Sequence, residues 1–181
     1  MSTNKKIRIW LVLFMMALVL SGLTAFPLEI ELRIASSVLH AGWSPAPTVS
    51  PGFVGWIDRI SSALTVTLNH YPFIAYAFDW LAFAHLVIAV AFIGPLRDPV
   101  RNIWVVQFGM IACVGIIPLA LIAGSVRGIP LGWELIDMSF GIVGIIPLII
   151  VHRLIRRLER EQLGAPPHSP DLTPVAAKPA G

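Results

Sequence analysis

Five ionisable residues lie within or beside long apolar stretches of this chain, and they are the ones whose side chains could carry chemistry. Placing a charged side chain in the middle of a bilayer costs about 2.5–3.5 kcal/mol on insertion scales, so such residues usually face the interior of a helix bundle or water. We therefore expect them to converge on a polar pocket that opens towards the outer side of a membrane. They are Asp79, His85, Arg127, Glu134 and Asp137.

Structural roles compete with this pocket for the same residues. Glu134 and Asp137 fall in the first turns of a predicted helix, where carboxylates are stabilised by the helix dipole and stay hydrated. Asp79 can reach the outer interface or pair with Arg127, and His85 can donate a hydrogen bond between two helices.

Several kinds of chemistry are not expected from this sequence. The histidines do not form a pair at matched depth that could hold a haem. Cys113 is the single cysteine, so the chain cannot form an internal disulfide or a CxxC redox pair. No glycine-rich phosphate loop, GxSxG or HExxH motif occurs. We therefore expect no cofactor, no metal and no catalytic set.

The composition predicts an all-α integral membrane protein. Charged residues make up only 13% of the chain, against about 25% in soluble domains, and apolar residues make up 56%. A bilayer core requires about 20 apolar residues per helix. Four stretches satisfy this requirement and predict a four-transmembrane-helix bundle, with spans at about 7–26, 73–96, 103–124 and 133–151.

The basic residues predict the orientation of the spans. Arg33, Arg59 and Arg127 would lie on one side of the membrane, and the other ten Lys and Arg residues on the opposite side. Because basic residues concentrate in cytoplasmic segments, both termini are expected in the cytoplasm, in a bacterial cytoplasmic membrane. Their position beside apolar spans favours contact with lipid headgroups and not with nucleic acid. The first span has an alternative reading as a cleaved signal peptide, although Leu23 fits a cleavage site poorly.

The outer segment 27–72 is too short to build its own core. Ser50 and Pro51 resemble a helix N-cap followed by proline at the first helical position, and apolar residues follow at helical spacing. We expect a short amphipathic helix at about 52–69 that lies at the membrane interface, caps the bundle, or does both. Residues 27–39 fit either a strand or a short helix, and 43–51 a loop.

Other patterns concern helix packing. Ala75, Ala82 and Ala89 form one row of small residues in the second span, and a second row points the opposite way, which predicts a neighbour on each side. The short segment 97–101 predicts that spans 2 and 3 form a hairpin.

The sequence VGIIPL occurs at both 114–119 and 143–148, and such duplication resembles the inverted repeats of some transporters. The proline in each copy is expected to kink its helix.

We interpret residues 1–163 as one membrane domain and 164–181 as a disordered cytoplasmic tail. The expected function is that of a non-catalytic subunit, scaffold or assembly factor of a membrane complex. One alternative is a small ion-coupled transporter that uses the polar pocket. Another is a membrane enzyme or a protein that binds quinone or lipid. The expected partners are the lipid bilayer and other membrane proteins or further copies of this chain, with no nucleic acid.

Overall fold

The computed structural model describes residues 2–163, and the regular structure in this range is helical throughout. The predicted tail, 164–181, lies outside the described residues. A single 3₁₀ turn, Pro72–Ala75, leads into the fifth α-helix. The α-helices are α1 (Thr3–Ala25), α2 (Leu28–Leu39), α3 (Ala46–Val49), α4 (Pro51–His70), α5 (Tyr76–Ala91), α6 (Ile93–Arg97), α7 (Ile103–Arg127) and α8 (Leu131–Leu163).

Four helical segments are long and apolar enough to cross a membrane, which confirms the predicted all-helical class with four apolar helices. They are Thr3–Ala25, Pro72–Arg97, Ile103–Arg127 and Leu131–Leu163. The second is interrupted at Phe92, between α5 and α6, since Pro95 has no N–H to donate to the carbonyl one turn earlier. The last extends well beyond its predicted end, because a charged helical extension follows the apolar part and packs Ile155 into the buried core.

The four apolar helices pack in the order α5, α1, α8, α7. Spans 2 and 3 were expected to form a hairpin, but α5 and α7 do not pack along their lengths. Instead, α1 packs against both α5 and α8. Its Ile7 and Leu11 are fully buried in the core, together with Val106 of α7 and Leu148 of α8.

The bundle has two chemically different ends. The N-terminus of α1, the segment 97–101 and the C-terminal part of α8 meet at one end, which we call the basic end. It carries nine of the described Lys and Arg residues and three acidic ones. The opposite end carries three basic and six acidic residues. The buried core, centred on Phe92, lies closer to the basic end.

Small residues allow α1 and α5 to approach closely. A Cβ at Gly22 of α1 would lie 3.0 Å from the Ala82 carbonyl oxygen and 3.1 Å from the His85 Cβ. Ala82 and Ala89 are buried in this contact. The second alanine row of α5 is exposed, so within the described chain this helix has a neighbour on one side and not on two as expected. Its members are Ala77, Ala84 and Ala91.

Beyond the end of the four apolar helices that lies opposite the basic end, α2 and α4 pack against each other as an antiparallel pair, which we call the outer hairpin. Segment 28–39 is helical, as one of its two interpretations predicted, and α4 confirms the helix expected at 52–69. Val54 and Ile57 of α4 are buried, and the Phe53 ring stacks on Trp133 at 6.1 Å. The predicted loop 43–51 contains the short α3.

Candidate functional site

A tight turn positions Glu134 beside the end of α7. Gly128 has a φ of 67°, a left-handed conformation that glycine adopts without strain, and it ends α7. The Ile129 N–H then donates to the Gly124 carbonyl at 2.9 Å. Because the chain reverses within so few residues, the first turn of α8 packs directly on the last turns of α7.

The Glu134 side chain fills a niche that exists because residue 124 is glycine. Glu134 is 4% exposed, and its carboxylate lies directly against Gly124. A Cβ at position 124 would lie 2.6 Å from the Glu134 Cδ and 2.7 Å from its Cγ. No hydrogen bond or ion pair joins this carboxylate to another residue within 2–163. Its oxygens keep access to solvent, because among the described residues Trp56 Nε1 is the buried side-chain polar atom without a hydrogen-bond partner. Glu134 is therefore a candidate through its position in the contact between α7 and α8.

The other predicted pocket residues are distributed over three helices. Asp137 is half-buried on α8, on the same face as Glu134, whereas Arg127 is exposed at the end of α7. Asp79 is exposed on α5, and no ion pair with Arg127 is formed among the residues described. The structure therefore brings Glu134 and Asp137 together but leaves Asp79 on a helix that packs on α1. A pocket that unites all five residues stays a prediction.

His85 lies in the contact between α5 and α1, as its Cβ position beside Gly22 indicates. Its Nδ1 is 2.8 Å from the Leu81 carbonyl oxygen, so this ring nitrogen is used within its own helix. The side chain is half-exposed, which leaves Nε2 as the nitrogen able to meet another group.

The outer hairpin contains a polar cluster that sequence reasoning missed. The Ser36 hydroxyl donates to Asp58 Oδ1 at 2.6 Å, and His40 Nε2 lies 2.8 Å from Asp58 Oδ2. The pKa of Asp58 is held below its ordinary value, first by the Ser36 hydrogen bond and then by His40, with partial burial opposing them. The residues are 22 and 18 positions apart, so no local pattern joins them. Once both segments are interpreted as antiparallel helices, the pairing could be anticipated.

This polar cluster determines which side of α2 faces away from α4. Thr65 donates to Glu29 at 3.4 Å further along the hairpin, and Leu32 is buried. Large apolar residues consequently occupy the exposed side of α2 and line a shallow groove of about 410 Å³ together with Trp43, which is 77% exposed. We call this surface the α2 stripe, and it consists of Ile30, Ile34, Val38 and Trp43.

Comparison of the chain with protein-family models, with curated proteins and with solved structures finds no match.

Proposed function

We propose that this chain is a multi-pass protein of the bacterial cytoplasmic membrane that acts as a non-catalytic subunit or scaffold of a membrane complex. Both termini would lie in the cytoplasm, because the basic end carries most of the positive charge. The outer hairpin would then lie on the outer face of the membrane, where its apolar surface can meet the membrane part of a partner protein.

The observation that carries this proposal is the α2 stripe. Contiguous exposed apolar surface, especially when polar residues border it, is typical of interaction sites. Ile30, Ile34 and Val38 recur every fourth residue, so they form a continuous ridge on α2. The opposite side of α2 is held by the contacts of Ser36 and His40 with Asp58 and by the burial of Leu32. The helix therefore cannot rotate to bury this ridge without losing those contacts.

A second surface is consistent with assembly in the plane of the membrane. The exposed alanine row of α5 offers the close approach that helices use in lipid, as its buried counterpart does with α1. Two apolar surfaces on different sides of the chain suit a protein that joins others better than one that works alone.

The experiment compares two aspartate substitutions at equally exposed sites of the outer hairpin. Ile34 on the stripe and Val66 on α4 are both 57% exposed. We expect the wild-type chain and Val66→Asp, purified in mild detergent from native membranes, to retain a stoichiometric membrane partner that Ile34→Asp loses. Equal retention in both variants, or a wild-type chain that purifies alone, would overturn the proposal.

One observation favours the ion-coupled transporter as a second candidate, namely Glu134, an acidic residue that is 4% exposed in the contact between α7 and α8 and forms no ion pair within 2–163. Its test is ion flux in vesicles that contain only this chain, with Glu134→Gln as the variant. Flux that depends on Glu134 would support the transporter, whereas equal flux from wild type, variant and empty vesicles would exclude it.

The VGIIPL repeat does not add to the case for a transporter. Leu119 is 65% exposed, whereas its counterpart Leu148 is fully buried. Similarly, Gly115 has open space around it, and Gly144 lies against Cys113 of α7 and Phe14 of α1. The two copies therefore occupy different environments, although symmetric inverted repeats would place them in matching ones.

A further inference from the structure

We propose that a cavity at the basic end binds the phosphate of an anionic phospholipid headgroup. The cavity has a volume of about 490 Å³, which lies within the roughly 300–1,000 Å³ typical of small-ligand sites. Three separate parts of the chain form it: the start of α1, the segment between α6 and α7, and the end of α8. The lining residues on which the proposal depends are Arg97, Asp98, Pro99, Val100, Arg101 and Leu158.

Two guanidinium groups make this cavity attractive to a phosphate. Arg97 and Arg101 are exposed, and neither forms an ion pair with a carboxylate among residues 2–163. The ion pairs described at this end join other arginines, in Arg156–Glu159 and Arg157–Glu161. Arginine donors fit phosphate oxygens in a bidentate arrangement, so a phosphate can satisfy groups that the chain itself leaves without an acidic partner.

Asp98 is the one acidic residue in the lining, and its Oδ1 accepts the Arg101 backbone N–H at 3.1 Å. This bond holds the carboxylate to the backbone of the turn. Asn102 fixes the turn further, because its Nδ2 donates to the carbonyls of Asp98 at 3.0 Å and Gly94 at 3.2 Å. Pro99 is buried beneath it. The turn that carries both arginines is therefore held in shape before a ligand arrives, which lowers the entropic cost of binding.

Several features favour a lipid headgroup over free phosphate. The cavity lies at the end of helices that are apolar enough to cross a bilayer, where headgroups are concentrated. Val100 and Leu158 add apolar lining beside the charged groups. Trp104, one turn after Arg101, is 63% exposed, and tryptophan is enriched at headgroup level. Basic pockets between membrane helices on the cytoplasmic side bind anionic headgroups in this manner.

The test measures lipid binding to the full chain in detergent by native mass spectrometry, with phosphatidylglycerol and phosphatidylcholine as probes. We expect wild type to bind phosphatidylglycerol in preference to phosphatidylcholine, and Arg97→Gln/Arg101→Gln to weaken that binding about tenfold or more. The matched control is Arg153→Gln/Arg160→Gln, which removes the same charge from the same end but from exposed residues outside the cavity. This control should bind nearly as wild type does.

A second variant separates loss of the site from loss of the fold. Arg97→Lys/Arg101→Lys keeps the charge but loses the bidentate geometry of the guanidinium groups, so its binding should fall between that of wild type and that of the glutamine variant. Binding in that order supports the site. Equal weakening in the cavity and control pairs would overturn the proposal in favour of unspecific attraction. Displacement of phosphatidylglycerol by inorganic phosphate at similar concentration would overturn the lipid as ligand, and so would a wild-type chain without headgroup preference.

Discussion

The niche of Glu134 can be tested by placing a methyl group in it. Gly124→Ala would put a Cβ 2.6 Å from the Glu134 Cδ, closer than packed carbon atoms come to one another. Because the Cγ is equally close, moving the carboxylate alone does not relieve the clash, and the whole side chain must leave the niche. Overpacking of this kind costs about 1–3 kcal/mol. Because the higher helix propensity of alanine offsets up to about 1 kcal/mol of this cost, we expect Gly124→Ala to destabilise the chain by about 0–2 kcal/mol in total.

A double-mutant cycle isolates the clash from other effects. In a Glu134→Ala background the niche is empty, so Gly124→Ala should be neutral or stabilising by up to about 1 kcal/mol, given the higher helix propensity of alanine. The free energy of unfolding would be measured by titration with sodium dodecyl sulfate in mixed micelles. An interaction energy of about 1 kcal/mol or more between the two sites is expected. The same effect of Gly124→Ala in both backgrounds would refute the close contact.

Three further predictions concern other parts of the molecule. Gly22→Ala should leave the chain less stable than Gly115→Ala by about 1 kcal/mol or more, because the new Cβ at residue 22 meets the backbone of α5, whereas residue 115 has open space around it; SDS titration measures both. Because the pKa of Asp58 is lowered in the folded state, its stabilisation is complete above the ordinary value of 3.8 and is lost as pH falls through the lower folded value. The difference in thermal stability between wild type and Asp58→Asn should therefore shrink below about pH 3.8, and a difference independent of pH would argue against the cluster. Topology reporters fused after residues 45, 98, 129 and 165 should read outside, inside, outside and inside, and a cytoplasmic signal at the first would contradict the orientation.

Features that depend on local sequence were predictable, whereas the order of helix packing was not. The four apolar helices follow from length and hydropathy, and α4 follows from Ser50-Pro51 and the spacing after it. The short segment 97–101 suggested that α5 and α7 are neighbours. Their separation depends on α1, whose buried residues Ile7 and Leu11 complete the core between them. No pattern within spans 2 and 3 reports on that third helix.

In the candidate site, too, some features follow from local sequence and others depend on residues far away in the chain. The shared face of Glu134 and Asp137 follows from their spacing along one helix. The burial of Glu134 depends on Gly124, ten residues earlier, and on the left-handed turn at Gly128 that brings the two together. Similarly, the alanine rows of α5 are equivalent in the sequence, and it is Gly22 of α1 that decides which row is buried.

The positions of the four acidic and histidine side chains on α5 and α8 bear directly on the choice between a scaffold and an ion-coupled transporter. Asp79 and His85 lie on α5, whereas Glu134 and Asp137 lie on α8, and both helices pack on α1 rather than along each other. In the packing order α1 lies between these two helices, contributes Ile7 and Leu11 to the core and contacts α5 closely at Gly22. A central helix packed on both α5 and α8, with apolar surfaces presented outward on α2 and α5, therefore favours the proposal of a protein that joins partners over one that alternates between two open states.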